Sequence, residues 1–230
     1  VNTVEHLLSA CAGLGIDNVA VEIDGPEVPI ADGSAAEFVR LLDRAGIQYS
    51  AAPARQIRVV KPVEIIEGDK RVALMPADRF SISYEIEFAA SVIGRQSFTF
   101  ELTPNGFRTG LAPARTFGFA KEVEALRALG FARGGSLENA IVISDSGTIL
   151  NPEGLRYPDE FVRHKALDAL GDLALAEAPL LARYEGRKAG HELNNRLLRA
   201  LFADPDAWRL DVAPVERATR DEPLHLAAGF

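Results

Sequence analysis

Phe161-Val162-Arg163-His164-Lys165-Ala166-Leu167-Asp168-Ala169-Leu170-Gly171-Asp172 is the stretch from which the rest of this chain can be read. On an α-helix, positions four and eight residues apart are rotated by only about 40° and 80°, so His164, Asp168 and Asp172 project from one side. Leu167, Leu170 and Leu173 supply the apolar stripe that docks such a helix. A core-facing histidine with aspartates one and two turns later is costly to bury unless the charges have a partner. A divalent cation held by His164 and Asp168 is one such partner, which leaves Asp172 to orient something else. Taken alone, a histidine and an aspartate spaced by four also make a common solvated pair.

The flanking segments predict the architecture. Asn2 or Thr3 can cap a helix running to about Gly13, with Val4, Leu7, Leu8 and Cys11 on its apolar face. Asn18 to Asp24 alternates as a strand closed by Gly25-Pro26, and Asp32-Gly33-Ser34 opens a second helix to about Ala45, with Phe38, Leu41 and Leu42 inward. Beyond a linker at Ala51-Ala52-Pro53-Ala54 the pattern turns to strands. Ile57 to Ile66, Arg71 to Met75, Phe80 to Phe88 and Ser97 to Leu102 read as a meander, with a hairpin turn at Gly68-Asp69-Lys70. A short amphipathic helix at Lys121 to Leu129 and a strand at Ala140 to Ser144 follow. The His164 helix starts near Asp159, a good N-cap, and a last helix runs from about Glu192 to Ala203. The fold class is α+β: two layered units, each a sheet packed with helices, meeting at the linker. Residues 1–52 read as the first, opening at Val1 already within a helical pattern, as a fragment missing its start would. Residues 55–208 read as the second, and 209–230 as a poorly ordered tail.

Composition narrows the class of function. With 230 residues, 47% hydrophobic and 25% charged, the chain reads as an ordinary globular protein. A net charge of -8, with no lysine/arginine cluster, argues against a nucleic-acid partner. The single cysteine, Cys11, excludes an intramolecular disulfide and fits a reducing, cytoplasmic compartment. No apolar run approaches the roughly 20 residues of a membrane span. The expected oligomeric state is a monomer.

The four histidines are His6, His164, His191 and His225. His6 on the first helix can join His164 and Asp168 to complete a three-ligand site of the kind zinc favours, with a fourth position for water. Glu5 beside it is placed to take a proton from such a water, although a glutamate–histidine pair on a helix is most often just partly exposed. His191 opens the last helix, where the positive end of the dipole lowers its pKa. A nearby carboxylate such as Asp172 would raise it and keep the ring charged as a general acid. The Thr116 hydroxyl could donate to a developing oxyanion, and Lys165 lies beside the proposed ligands. Phe117, Phe119, Val123, Leu126 and Leu129 offer apolar surface for a groove, or simply core. Cys11 reads as a small core residue.

Taken in order, these segments resemble one family, the UDP-3-O-acyl-N-acetylglucosamine deacetylases of lipid A biosynthesis. The carrying motifs are Thr3-Val4-Glu5-His6-Leu7, Gly13-Leu14-Gly15-Ile16-Asp17-Asn18, Glu27-Val28-Pro29-Ile30 with Asp32-Gly33-Ser34, and Ala114-Arg115-Thr116-Phe117. Gly134-Gly135-Ser136-Leu137, Asn151-Pro152-Glu153-Gly154-Leu155-Arg156, His164-Lys165 through Gly171-Asp172-Leu173, and Gly190-His191 with Asn194 complete the set. The resemblance implies a zinc amidohydrolase (iron(II) would suit the same ligands) that removes the N-acetyl group of an acylated UDP-amino sugar and releases acetate. It implies His6, His164 and Asp168 as metal ligands and Glu5 as general base. His191, oriented by Asp172, would be the acid or oxyanion partner, Thr116 a second oxyanion donor, and Lys165 a contact to the substrate's polar side. The resemblance also implies two α/β-sandwich units with the active site between them, residues 1–52 being the C-terminal part of an incomplete first α+β domain. In an insert at about 117–150 of the second, Phe117, Phe119 and the Lys121–Leu129 helix would line an acyl passage. Family members carry further strands and a helix before the Thr-Val-Glu-His segment, so the chain is expected to lack an N-terminal part. The competing expectations are a non-catalytic or truncated inactive homologue, and a related metal amidase acting on another acylated amino sugar.

Overall fold

The computed structural model describes residues 1–89, 92–121 and 136–212. The class is α+β. Four helices occur among these residues, α1 (Glu5–Leu14), α2 (Ala36–Ala45), α3 (Glu160–Leu173) and α4 (His191–Ala203), besides shorter helical turns. The strands are β1 (Arg55–Val59), β2 (Val63–Glu67), β3 (Lys70–Pro76), β4 (Ser81–Glu87), β5 (Arg95–Glu101), β6 (Phe117–Phe119), β7 (Ile141–Ile143), β8 (Leu180–Arg187) and β9 (Trp208–Val212). All but β6 and β7 form one seven-stranded mixed sheet, and those two pair in parallel by themselves.

The sheet is organised by β8. Its residues Ala182 to Arg187 run antiparallel to β3, Arg183 to Arg187 run parallel to β4, and Leu180 and Leu181 pair in parallel with β1. The strands of residues 55–101 are therefore not a meander, because β8 inserts between β3 and β4. The expected strand Ile57–Ile66 is two strands, with Pro62, which has no N–H to offer a ladder, at the break. The hairpin at Gly68-Asp69 does form: Glu67 faces Lys70 across it, and Gly68 takes a φ of +61° that glycine tolerates best. The expected tail begins too early. Residues 208–212 pair with β1 along its whole length, Arg55 opposite Val212 and Val59 opposite Trp208.

Three expectations for the first section need correction. Neither Asn2 nor Thr3 caps α1, whose N-cap position is Val4. Asn2 instead bridges to Glu27 through its backbone, and the Thr3 hydroxyl donates to the Glu27 carboxylate. Asn18 to Asp24 is not a strand: it is exposed on both faces and has no strand beside it among the described residues. Alternation alone cannot make a strand when no ladder partner is present to take its backbone groups. On α2, Leu41 points outward and Val39 is the buried position, with Phe38 and Leu42 half-buried. The turn that leads into α2 is as the residues suggest, since Asp32 accepts from the Ser34 backbone and hydroxyl, and Ser34 accepts from the Ala36 N–H.

Helix α3 is the spine of the molecule. Phe161, Val162, Ala166, Leu167, Ala169, Leu170 and Leu173 are all buried, because α1, α4 and strands β4 and β5 pack around it. A helix covered on several sides reads as apolar nearly all round, which makes its buried His164 and Asp168 conspicuous. Asp159 is its N-cap residue, but its carboxylate accepts from Arg163 Nε at 2.6 Å rather than from the helix end. Two glycines set how closely α1 approaches. A Cβ at Gly171 would lie 2.0 Å from the Glu5 carbonyl oxygen, and one at Gly13 would lie 2.3 Å from the Phe107 ring. The absence of a side chain at 171 lets the first turn of α1, with Glu5 and His6, sit directly on α3. Of the helix expected at Lys121–Leu129, all but Lys121 lies outside the described residues, as do Gly134-Gly135 and residues from 213 onward.

Candidate metal centre

His164 donates from Nδ1 to the Ala114 carbonyl at 3.0 Å. A carbonyl only accepts, so this contact puts the proton of a neutral ring on Nδ1 and leaves the Nε2 lone pair free. That lone pair faces Asp168 Oδ1 at 3.1 Å, one helical turn along α3. From α1, His6 brings its Nε2 to 3.7 Å from the same oxygen, and the two imidazoles meet edge to face with centroids 5.0 Å apart. All three side chains are buried, at 3% exposure for His6, 1% for His164 and 5% for Asp168. One ligand atom from each can be chosen so that all lie within 4.8 Å of one another.

The cluster is electrically unfinished. Among the described residues, His6 Nδ1 and Asp168 Oδ1 are buried without a hydrogen-bond partner, the approach of His164 to that oxygen lacking hydrogen-bond alignment. Unpaired buried polar atoms of this kind cost stability and occur a few at a time in native structures. Asp168 Oδ1 lies between the Nε2 atoms of His164 and His6, at 3.1 and 3.7 Å, and a cation there would supply its missing partner. The donor set of two imidazoles and one carboxylate fits zinc or iron(II). The other Asp168 oxygen is already taken, accepting from Lys165 Nζ at 2.9 Å. Burial alone would raise the Asp168 carboxyl, but the adjacent His164 and His6 imidazoles and the Lys165 ammonium hold it well below the ordinary range. Asp168 in turn raises the Lys165 amine against the opposing effect of burial.

The second group of residues lies further along α3. Asp172 places both carboxylate oxygens 2.9 Å from His191 Nδ1, at the first residue of α4. The helix dipole and the carboxylate pull the imidazole in opposite directions, and the carboxylate prevails. The hydrogen bond to Asp172 lifts the His191 pKa to about 9, although partial burial opposes it. Asp172 Oδ2 also accepts from Asn194 Nδ2 at 2.7 Å.

Phe117 forms a wall beside the cluster. Its ring meets Phe161 edge to face at 4.9 Å and His164 at 6.5 Å, with Lys165 Nζ 5.7 Å above it. Phe119 continues that wall against Phe88 at 6.2 Å. Thr116 is held through its backbone, which donates to Gly33 O at 2.7 Å and accepts from Ile141 N at 2.8 Å. It stands two residues after Ala114, whose carbonyl carries His164. Val123, Leu126 and Leu129 lie outside the described residues.

The family model described as UDP-3-O-acyl N-acetylglycosamine deacetylase matches residues 1–203. The chain belongs to this deacetylase family. Curated relatives bear the name UDP-3-O-acyl-N-acetylglucosamine deacetylase. One from Phenylobacterium zucineum is 60% identical over 210 residues, covering 91% of this chain and 71% of the relative. One from Acidithiobacillus ferrooxidans is 52% identical over 229 residues, covering 99% and 74%. One from Myxococcus xanthus is 49% identical over 217 residues, covering 94% and 68%.

Some members of the site carry no local mark in a deacetylase sequence of this kind. The Ala114 carbonyl is invisible to any reading of side chains. Asn194 stands in the sequence reading only as part of the His191 motif, and its place could have been read, since it lies three residues after His191 and shares its helix face. Tyr184, which donates to Asn194 Oδ1 at 2.6 Å, could not, because its strand was not read at all.

Proposed function

We propose that this chain hydrolyses the N-acetyl amide of a UDP-3-O-(3-hydroxyacyl)-N-acetylglucosamine, releasing acetate and a free amine in the committed step of lipid A biosynthesis, with one zinc ion held by His6, His164 and Asp168. The observation that carries this reading is the grouping of the buried His6 from α1 with the buried His164 and Asp168 from α3 around an unpaired Asp168 oxygen, in a member of the deacetylase family. Zinc in that position would act as a Lewis acid on the amide carbonyl and lower the pKa of the attacking water.

The protein's own groups supply the proton traffic. Glu5, adjacent to His6 on the first turn of α1, takes the proton of the attacking water. His191, kept charged by Asp172, delivers a proton to the leaving amine nitrogen. The Thr116 hydroxyl donates to the carbonyl oxygen as it gains charge, a role of the oxyanion-hole type. Lys165, anchored on Asp168 and over the Phe117 ring, meets the polar side of the substrate. Phe117 and Phe119 begin an apolar passage for the acyl chain within the 117–150 insert. In this reading the catalytic centre lies where the 1–52 unit meets the 55–208 unit, and the enzyme works in the cytoplasm as a monomer.

The test is acetate release from UDP-3-O-acyl-N-acetylglucosamine by the full chain, before and after chelation and zinc return, beside Glu5→Ala. Turnover should vanish with the metal, return with it, and fall by about a hundredfold or more in the variant. Undiminished activity in Glu5→Ala would remove the assigned base. Equal turnover of a substrate lacking the acyl chain would favour an amidase of another amino sugar. A folded, zinc-loaded chain without turnover would make it a binding protein.

A further inference from the structure

We propose that Asn194 is a positioning residue for the His191–Asp172 pair, its amide held in turn by the Tyr184 hydroxyl. The inference rests on the reading of His191 as the proton donor. Asn194 follows His191 by three residues on α4, so one helix face presents both side chains to α3. It is 1% exposed, and among the described residues the hydrogen bonds of its side chain go to Asp172 and Tyr184. Its Nδ2 donates to Asp172 Oδ2 at 2.7 Å, while its Oδ1 accepts from the Tyr184 hydroxyl at 2.6 Å. The orientation is determined, because a reversed amide would set its oxygen against the carboxylate.

The support behind Asn194 is rigid. Tyr184 is fully buried on the central strand β8, and burial, together with Tyr84 and Asp172 nearby, holds its phenol well above the ordinary value. It therefore remains a donor throughout the working pH range. Tyr84 on the neighbouring strand donates to the Ala189 carbonyl at 3.0 Å, two residues before His191. Gly186 leaves space for both phenols, since a Cβ there would come within 2.8 Å of Tyr184 and 2.9 Å of Tyr84. The two tyrosines thus tie down both the loop that enters α4 and the amide one turn inside it.

Asp172 faces His191 through two oxygens, and without the Asn194 amide one of those oxygens would have no second donor. The carboxylate would then be free to turn, and the imidazole would lose both its aim and part of its proton affinity. The other charged groups acting on His191 are Asp168 and Lys165, also on α3, with Glu192 next to it on α4. Among the described residues the Asn194 side chain hydrogen-bonds to Asp172 and Tyr184 and to none of these three, so its removal bears on the Asp172 link.

The experiment compares the zinc-loaded full chain with Asn194→Ala, Tyr184→Phe and Asp172→Asn. It reads the NMR titration of the His191 ring, and kcat and KM for UDP-3-O-acyl-N-acetylglucosamine. His191 should titrate near pH 9 in the unaltered chain and lower in Asn194→Ala. There kcat should fall on the order of tenfold while KM moves by less than about twofold. Tyr184→Phe should shift both in the same direction and less. Asn194→Ala added to Asp172→Asn should cost little more than Asp172→Asn alone, as expected of groups acting through one another. An Asn194→Ala protein that melts earlier but titrates His191 and turns over like the unaltered chain would overturn the proposal. If that variant does not fold, an unshifted His191 in Tyr184→Phe would overturn it equally. A lowered titration in a protein that hydrolyses no substrate would sustain the positioning role and reject the proposed function.

Discussion

Two buried polar clusters lie one turn apart on α3, and they are completed in different ways. At its first residue, Glu160 is fully buried and saturated. Its Oε1 accepts from the Arg115 N–H at 3.0 Å and from Arg115 Nε at 2.9 Å, and its Oε2 accepts from the Arg156 N–H at 2.6 Å. Arg115 spends its remaining donors on Glu153 at 2.6 Å and on the Gly154 carbonyl at 2.7 Å. One turn later His164 and Asp168, with His6, bring two imidazole Nε2 atoms around an Asp168 oxygen that has no hydrogen-bond partner among the described residues. Burial is similar in both places, so burial does not separate structure from function here. Completeness does: a saturated cluster holds the loop of residues 151–160 to α3, and an unsaturated one is built to receive something.

The sharpest way to break this contrast is to remove one partner from each cluster in metal-free protein. Arg115→Met leaves the Glu160 charge buried with only two backbone N–H donors and no countercharge, and should cost about 3–5 kcal/mol in urea unfolding. His6→Leu removes an imidazole whose Nδ1 has no hydrogen bond among the described residues and whose Nε2 lies 3.7 Å from Asp168 Oδ1, so metal-free stability should stay within about 1 kcal/mol of the unaltered chain. Zinc at a hundredfold excess over its Kd should then stabilise the unaltered chain by about 2.7 kcal/mol and leave His6→Leu unmoved. Equal losses in the two metal-free variants would erase the distinction.

Gly171→Ala tests the contact that delivers α1 to the cluster. The added methyl meets the Glu5 carbonyl, so α1 must retreat, at a cost of about 1–3 kcal/mol of overpacking. Shifting Glu5 and His6 by on the order of 1 Å should lower turnover by about a hundredfold. Unfolding curves and kcat/KM measured on one preparation check both, and a fully active, stable variant would contradict the close packing.

The smallest effect concerns the His191 end of α3. With its pKa raised to about 9, His191 is charged at neutral pH, and the acid form is lost as pH rises through that value. The alkaline limb of kcat/KM should therefore fall near pH 9. Asp172→Asn should move that limb down toward the ordinary imidazole value of about 6.5. By the same linkage, the pair's contribution to folding is complete below the unfolded value and disappears as pH rises through the folded one. An alkaline limb that Asp172→Asn leaves in place would assign the limb to another group.

How much of this was legible follows from where the information sits. His164, Asp168 and Asp172 could be grouped because helical periodicity is local, and the same periodicity placed Leu167, Leu170 and Leu173 inward. The class α+β followed from the change of pattern near residue 52. Strand β8 was missed because Ala182 and Gly186 occupy two of its four inward positions, and small residues blunt the alternation that marks a strand. Asn18–Asp24 was misread for the converse reason: alternation was present and a partner strand was not. The Arg115–Glu160 pair spans 45 residues and leaves no periodic trace, so only the folded chain reveals it. Tyr184 behind Asn194 was hidden along with its strand.

The central claim is that His6, His164 and Asp168 together hold one divalent cation. Calorimetric titration of zinc into the chelator-treated full chain, beside His164→Ala with its fold checked by circular dichroism, tests it most directly. The account predicts one ion per unaltered chain and no ion at this site in the variant. A folded, unaltered chain that takes up neither zinc nor iron(II), or a His164→Ala chain that binds as tightly, would contradict it.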